Sequence, residues 1–289
     1  SLACQVRGVI LNKVELASNF IKQHLHQFQC PICKSNFSEV QSGALICVNH
    51  HSFNIAKKGS LFFLNNPVNT EYTTEMLSYR NQFLTAGFFN PMLEEVISKI
   101  SGNFILDAGC GEGTTTKWMA SHFNGDFVGL DISKPAINIA GSGVAPEPYP
   151  LFMVGDLAQL PFADQGLTTI VNILSPANYQ EFDRTLAAGG ELIKVIPGNH
   201  YLSELRQLVY PDGEHATYDN APVKNHFIEH YDHVEFTKVN YKFPLNEQLF
   251  TALFNMTPLT WQAKDRKAAI LQDGLKEITA EFEIGVVRR

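Results

Sequence analysis

Three cysteines and a histidine stand close together early in the chain, spaced as Cys30-x2-Cys33-x13-Cys47-x3-His51. Two cysteines on a tight knuckle can grip one side of a tetrahedral ion, and a second pair one hairpin away can close the other side. Thiolates with an imidazole select zinc over magnesium or calcium. Four protein ligands fill the shell, so the expected site is structural rather than catalytic. His50 is a sterically possible rival, as Cys47-x2-His50, but His51 is the preferred fourth ligand. A segment of about 35 residues buries too little apolar area to fold alone, so the metal would supply its folding energy.

A second cluster lies at residues 105–118, ILDAGCGEGTTTKW, with the pattern Asp107-x-Gly109-x-Gly111-x-Gly113. Glycines let backbone approach a ligand where a Cβ would collide, and the helix expected to follow offers free N–H groups to a carboxylate. Position 114 is Thr, so the Gly-x-Gly-x-x-Gly of dinucleotide enzymes is broken. Asp107 is expected to order the loop from beneath. Asp131 ends the next strand, in FVGLDIS, where a carboxylate can accept both ribose hydroxyls of an adenosine. Asp156, in VGDLAQLPF, is placed to accept from an exocyclic adenine amine. The plain alternatives are a helix cap for Asp131 and a turn residue for Asp156. Glycine loop, ribose acid and adenine acid on three successive strand ends describe a pocket for S-adenosylmethionine. Cys110 would then be covered by cofactor rather than act as a nucleophile.

The elements that must position these residues read as alternating strands and helices. NFILDAG, DFVGLDI, LFMVGD, TTIVNIL and GELIKVIP are short apolar runs, most with helix-compatible sequence between them. That is the βαβ signature of a parallel sheet covered by helices on both faces. HVEFTKVNYKFPL and AEFEIGVVRR read as a final reversed pair flanking a helical NEQLFTALFNM. The expected fold is α/β: a Rossmann-like, seven-stranded mixed sheet of the class I S-adenosylmethionine-dependent methyltransferases, with a small N-terminal zinc-binding domain. The expected divisions are an extension (1–28), a polar helical lead-in without assigned chemistry; a zinc-binding, RNA-recognition domain (29–66); a linker and helix region (67–90); and a methyltransferase domain (91–289). Pro91 sits near the start of an amphipathic helix, NPMLEEVISKI.

The 289 residues carry a net charge of −7, unevenly spread. Residues 1–66 hold six Lys or Arg and two Glu, a net of +4, which leaves −11 for the remainder. Zinc with three thiolates lowers the first figure by one. A mildly basic head on an acidic body fits a head that meets a polyanion. Five cysteines are an odd and poorly spread set for a disulfide framework, and no apolar run of membrane-spanning length is present. A soluble cytoplasmic protein is expected.

The knuckle, FNIAKKGSLFFL, FLTAGFFNP, LDAGCGEG, GLDISKPAI, LPF, PGNHYLSEL and MTPLTW, in that order, closely resemble the RlmA family of bacterial 23S rRNA (guanine-N1)-methyltransferases. The resemblance covers about residues 29–289. LDAGCGEG is shared very widely among methyltransferases, whereas the knuckle followed by Ala-Lys-x-Gly, and the late Met-Thr-Pro with Trp261, are selective. The resemblance implies zinc at Cys30, Cys33, Cys47 and His51, and cofactor contacts at Thr115, Thr116, Phe89 and Tyr201. A relative carries Tyr where Phe89 stands and His where Tyr201 stands. It further implies methyl transfer to N1 of a guanine in a 23S rRNA hairpin, at position 745 or the neighbouring 748 with 745 preferred, by an enzyme that forms a homodimer. Two rival readings are a small-molecule methyltransferase with an accessory zinc knuckle, and a non-catalytic zinc module that binds RNA or protein. The intact glycine loop and Asp131 oppose the second, and the basic zinc head opposes the first.

Guanine N1 bears a proton at neutral pH that must leave before its lone pair can attack, and a carboxylate or imidazole is the expected acceptor. The stretch NILSPANY follows the fourth strand, where Asn172 and Ser175 could bond the base edge and Pro176 could shape its pocket; the alternative is an ordinary strand-to-helix turn. Phe88, Phe89 and Tyr201 are candidates for an aromatic shelf under an extruded base. Lys57 and Lys58 are expected to grip the RNA backbone, and His200 to face solvent.

Overall fold

Asn12 opens the first helix with a reciprocal cap: its side chain accepts from the Glu15 N–H, and the Glu15 carboxylate accepts from the Asn12 N–H at 2.8 Å. The computed structural model to which this cap belongs describes residues 11–64 and 66–289, so the first ten residues of the expected extension lie outside it. Helix α1 (Lys13–Gln23) buries Ala17, Phe20 and Ile21, the one-face spacing of an amphipathic helix. His24 stacks on Phe104 with ring centroids 4.1 Å apart, and its Nε2 lies 2.8 Å from Asp126. The expected polar lead-in therefore has an apolar face that is fastened to the catalytic sheet.

The head is a three-stranded antiparallel sheet of β1 (Phe37–Gln41), β2 (Ala44–Cys47) and β3 (Ser52–Asn54). Ser42 and Gly43 join β1 to β2 with φ of 51° and 72°, the two positive values that a tight two-residue hairpin requires. Strand β4 (Leu61–Phe62) leaves the head and pairs with the body. Helices α2 (Thr74–Thr85) and α3 (Asn90–Lys99) follow; the Thr73 hydroxyl caps the first, and Pro91 sits in the first turn of the second.

The body continues as β5 (Phe104–Ala108), α4 (Thr114–His122), β6 (Asp126–Asp131), α5 (Lys134–Ala140), β7 (Leu151–Val154), β8 (Leu167–Ile173), α6 (Tyr179–Thr185) and β9 (Leu186–Pro197). After α7 (Ser203–Val209) and α8 (Ala221–His230) come β10 (Glu235–Pro244), α9 (Glu247–Met256), α10 (Lys267–Asp273) and β11 (Glu277–Arg288). The sheet order is β10-β11-β9-β8-β5-β6-β7-β4. β4 to β9 run parallel, and β11 is antiparallel to both β9 and β10. The seven expected strands are present in the expected arrangement, and the head adds an eighth.

Helices cover both faces of the central strands, which are therefore buried along their length: all five residues of β5 are buried, Asp107 among them. β10, at one edge, alternates exposed and half-buried residues instead. The chain winds from β5 through β6 to β7 and then returns to the other side of β5 as β8. That reversal opens a crevice at the carboxyl ends of β5 and β8, where α/β sheets bind ligands.

Candidate active site and metal centre

In the head, the ligand atoms of Cys30, Cys33, Cys47 and His51 all lie within 4.8 Å of one another. The Cys33 and Cys47 sulfurs are 3.7 Å apart, close to the edge of about 3.8 Å expected for a tetrahedron with Zn–S of about 2.3 Å. His51 Nδ1 stands 3.3 Å from Cys33 Sγ and 3.5 Å from Cys47 Sγ. The neighbouring His50 has φ of 65° and an exposed side chain outside the cluster. The Ser35 hydroxyl, 2.9 Å from Cys33 Sγ, and Asn49 hold the Cys33 thiol down at about 5, as a thiolate ligand needs. Burial pushes the Cys30 thiol up to about 11, a penalty that a bound dication reverses. Donor types and spacing fit zinc.

The glycine loop leaves β5 with Gly109, Gly111 and Gly113 at φ of 80°, 58° and 88°, values that favour glycine. A Cβ at Gly109 would collide with the Ser175 hydroxyl, and one at Gly113 would lie 2.6 Å from Ala140 Cβ. Beneath the loop, the buried Asp107 accepts from the Thr115 hydroxyl at 2.8 Å and the Thr116 hydroxyl at 2.7 Å, both on one carboxylate oxygen. Burial raises this carboxyl to about 6, and its other oxygen has no partner among the described residues. Asp131 accepts from the Gly111 N–H at 2.9 Å and from the Ser133 N–H at 2.8 Å, which ties the loop to the start of α5. Asp156 accepts from the Ala158 N–H at 2.9 Å. Asp156 thus makes a local turn contact, while the cap of α5 is Ser133, whose hydroxyl accepts from the Ala136 N–H, and not Asp131; both carboxylates line the cleft.

That cleft has a volume of about 440 Å³. Gly109, Gly111, Asp131 and Asp156 line one side, with Thr70, Glu71, Tyr72 and Arg80 across from them. Three carboxylates and one guanidinium suit a ligand with a cationic sulfonium, an ammonium, a carboxylate and a ribose. The residues 70–72 belong to the stretch expected to be a mere linker; they wall the cleft instead. Arg80 Nε lies 3.5 Å from the buried Glu112.

A second hollow of about 570 Å³ adjoins the first, and Leu174, Ser175 and Pro176 line both. Tyr179, Lys194, Tyr201, Tyr218 and His226 line the second alone. Burial raises the Tyr201 phenol to about 12.

The remaining candidates are placed as follows. Thr115 and Thr116 commit their hydroxyls to Asp107 rather than to the cleft. Phe88 and Phe89 are 0% and 1% exposed and pack in the main core, so neither forms a shelf. Tyr201 lines the second hollow, not the first. Asn172 is buried, donates to the Ala108 and Pro176 carbonyls and accepts from Lys194, so its amide is used up inside the protein. Lys57 is exposed, whereas Lys58 Nζ donates to the Asn138 carbonyl at 3.1 Å and the Ser142 hydroxyl at 3.2 Å. His200 is exposed, with Nδ1 3.1 Å from Glu281. Cys110 is buried, and burial holds its thiol well above the ordinary range. Arg80, Glu112 and Lys194 escaped the sequence reading. Lys194 had a signal: a lysine inside ELIKVI breaks an otherwise apolar strand.

The sheet order, the glycine loop and the acids on successive strand ends define a class I S-adenosylmethionine-dependent methyltransferase, and residues 105–196 match the family described as a methyltransferase domain. Residues 28–70 match the family described as RlmA, N-terminal. The chain is 33% identical to the Bacillus subtilis (strain 168) protein YxjB, a candidate 23S rRNA (guanine-N1)-methyltransferase, over 89% of this chain and 95% of that one. It is 28% identical to the 23S rRNA (guanine(748)-N1)-methyltransferase of Streptomyces fradiae, over 64% of this chain and 68% of that one. The chain belongs to the RlmA family. It is an enzyme that uses S-adenosylmethionine and carries a structural zinc. No helix among the described residues is long and apolar enough to cross a membrane.

Proposed function

We propose that the protein methylates N1 of a guanine in a hairpin loop of 23S rRNA. The observation that carries this reading is the pair of adjoining hollows: a polar cleft at the glycine loop and a second, aromatic-lined hollow that share Leu174, Ser175 and Pro176. The second is open enough for a purine swung out of its stack, with Tyr179, Tyr201 and Tyr218 around it. Asp131 would hold the ribose hydroxyls of the donor and Asp156 its adenine amine, while the glycines admit its backbone-facing side. The bound donor supplies a methyl group activated by a sulfonium. The protein fixes the two reactants in line and excludes water.

The zinc head would meet the RNA. Lys57 and the knuckle residue Lys34 are both exposed and suit phosphate contacts. Lys58 is not assigned that role, because its ammonium is engaged with α5 and the loop after it. The head would span 29–66 as the RNA-recognition unit ahead of the transferase domain, in a cytoplasmic homodimer.

The target is assigned to guanine 745 rather than 748. The relative named for 748 is 28% identical over 64% of this chain, and the name of the Bacillus protein carries no position, so the choice of 745 rests on the resemblance of the motifs alone. Primer extension on 23S rRNA tests the whole reading, because N1-methylguanine cannot pair and stops reverse transcriptase. A stop at 745 that appears only with the gene supports the reading; a stop at 748 moves the target. No stop, with methyl transfer to a metabolite, would replace it with the small-molecule alternative.

A further inference from the structure

Lys194 sits near the carboxyl end of β9, only 4% exposed, in the wall of the hollow assigned to the guanine. Its Nζ donates to Asn172 Oδ1 at 2.6 Å and to the Ser175 carbonyl at 3.2 Å. Among the described residues, no carboxylate pairs with it. Two protein acceptors match the two N–H groups of a neutral amine, and the third position on nitrogen is then a lone pair. Burial lowers this amine to about 8, the range in which a lysine both loses and regains a proton near neutrality.

The titratable groups around it differ from it in burial and chemistry. Gly285 stands opposite Lys194 on β11, and Asn172 opposite it on β8. Glu283, two residues further along β11, is engaged by Lys224 at 2.8 Å and by Asn220. Tyr179 of α6, His226 of α8, and Tyr201 and Tyr218 on the connecting segments are the other titratable groups lining the hollow. The phenols of Tyr179 and Tyr201 are raised to about 12 by burial, too weakly acidic to serve as phenolate bases near neutral pH. His226 is on the exposed side of α8. Among the described residues lining this hollow, none is Asp or Glu. Of the expected carboxylate or imidazole acceptors, only the exposed imidazole of His226 lines this hollow, whereas Lys194 is buried in its wall.

We propose that Lys194 is the catalytic base that takes the N1 proton of the target guanine. This rests on the guanine-N1 reading above. The N1–H bond breaks, its proton passes to the neutral Nζ and its electron pair stays on N1. That pair forms the bond to the methyl carbon as the carbon–sulfur bond breaks. The sulfur keeps the pair of the broken bond and becomes a neutral thioether. The ammonium of Lys194 then returns its proton to water through the open hollow. Asn172 is a positioning residue in this scheme: its amide is held by the Ala108 and Pro176 carbonyls, so its oxygen must face Lys194.

The test is single-turnover methylation of a 23S rRNA hairpin by the full-length, zinc-loaded enzyme between pH 6 and 9.5, beside donor affinity by calorimetry. The wild-type rate is expected to rise with pH and level off above an apparent pKa of about 8, in line with the burial of Lys194. Lys194→Met and Lys194→Gln are expected to lose at least about 100-fold in rate, with donor affinity kept within about threefold, and to lose the rising limb. Lys194→Arg should not restore the rate, because a guanidinium cannot take up a proton. A rescue by Arg would overturn the proposal in favour of a fixed cation at O6. A rising limb that persists in Lys194→Met, or no limb in the wild type, would also overturn it and leave the guanine-N1 reading standing. A wild-type enzyme that makes no N1-methylguanine sinks that reading first, and this proposal with it. The wild-type profile needs no variant, so misfolding of the substituted chains does not remove the test.

Discussion

Lys58 Nζ lies 3.1 Å from the Asn138 carbonyl oxygen, so a lysine of the zinc head is fastened to α5, the helix that follows the Asp131 strand. Lys13 makes the companion contact, donating to the Gly141 and Gly143 carbonyls at 2.5 and 2.6 Å. Lys58, which reads as a nucleic-acid contact in the sequence, is spent like Lys13 on joining one part of the chain to another.

Lys57 and Lys58 should therefore separate in experiment. Lys57→Ala is expected to weaken RNA binding and reduce the slope of log affinity against log salt by about 1, the signature of one phosphate contact. Lys58→Ala is expected to leave that slope unchanged. Its cost would be a small loss of stability, below about 1 kcal/mol for an exposed charged group, seen in thermal melts.

Metal content distinguishes the two adjacent histidines. The purified protein should hold one zinc per chain by mass spectrometry of the metal. His51→Ala or Cys33→Ser should lower that stoichiometry, and His50→Ala should not. Chelation should unfold the head, visible as fast amide exchange in β1 to β3, because a metal supplies the folding energy of such small units.

The glycine loop should be intolerant of a single methyl group. Gly109→Ala meets the Ser175 hydroxyl at a backbone angle that L residues rarely adopt. The expected result is a loss of donor affinity of at least about 100-fold in calorimetry, as for steric occlusion combined with strain. Asp131→Asn should lose less, about 10-fold, since it removes charge while keeping one acceptor for ribose.

Asp107 should leave a mark on stability. Its folded value of about 6 lies above the ordinary 3.8 of an aspartate, so the folded state binds the proton more tightly than the unfolded state does. Stability from this group is present below about pH 4 and is lost as pH rises through about 6. The difference is about 3 kcal/mol at 1.36 kcal/mol per unit. Denaturant melts of wild type minus Asp107→Asn should show that decline between pH 4 and 7. A flat difference would mean that the carboxyl is not desolvated.

The parallel sheet was legible because doubly covered strands are mostly apolar, as FILDA and LTTIVNI are apart from Asp107, the two threonines and Asn172. The metal ligands were legible because their spacing is itself the chemistry. Strand β4 escaped, since two residues carry no period. Thr70 to Tyr72 escaped because a cleft wall built from irregular backbone has no pattern either. Asn172 looked like a base-reading amide in NILSPANY. The backbone turn at Leu174, with φ of 49°, brings the Pro176 carbonyl back to within 3.0 Å of that amide, a contact no local spacing announces.

Strand β4 also bears on how this chain could be recombined. Leu61 and Phe62 pair with Met153 and Val154 and close one border of the sheet. A cut after residue 66 that discarded everything before it would bare the rim of β7, an open row of amides and carbonyls that invites sticking to other molecules. Chimeras that exchange only the metal-bearing tip, between Gln29 and Asn54, keep that border sealed. They are the grafts in which a new RNA preference can be sought without losing the transferase.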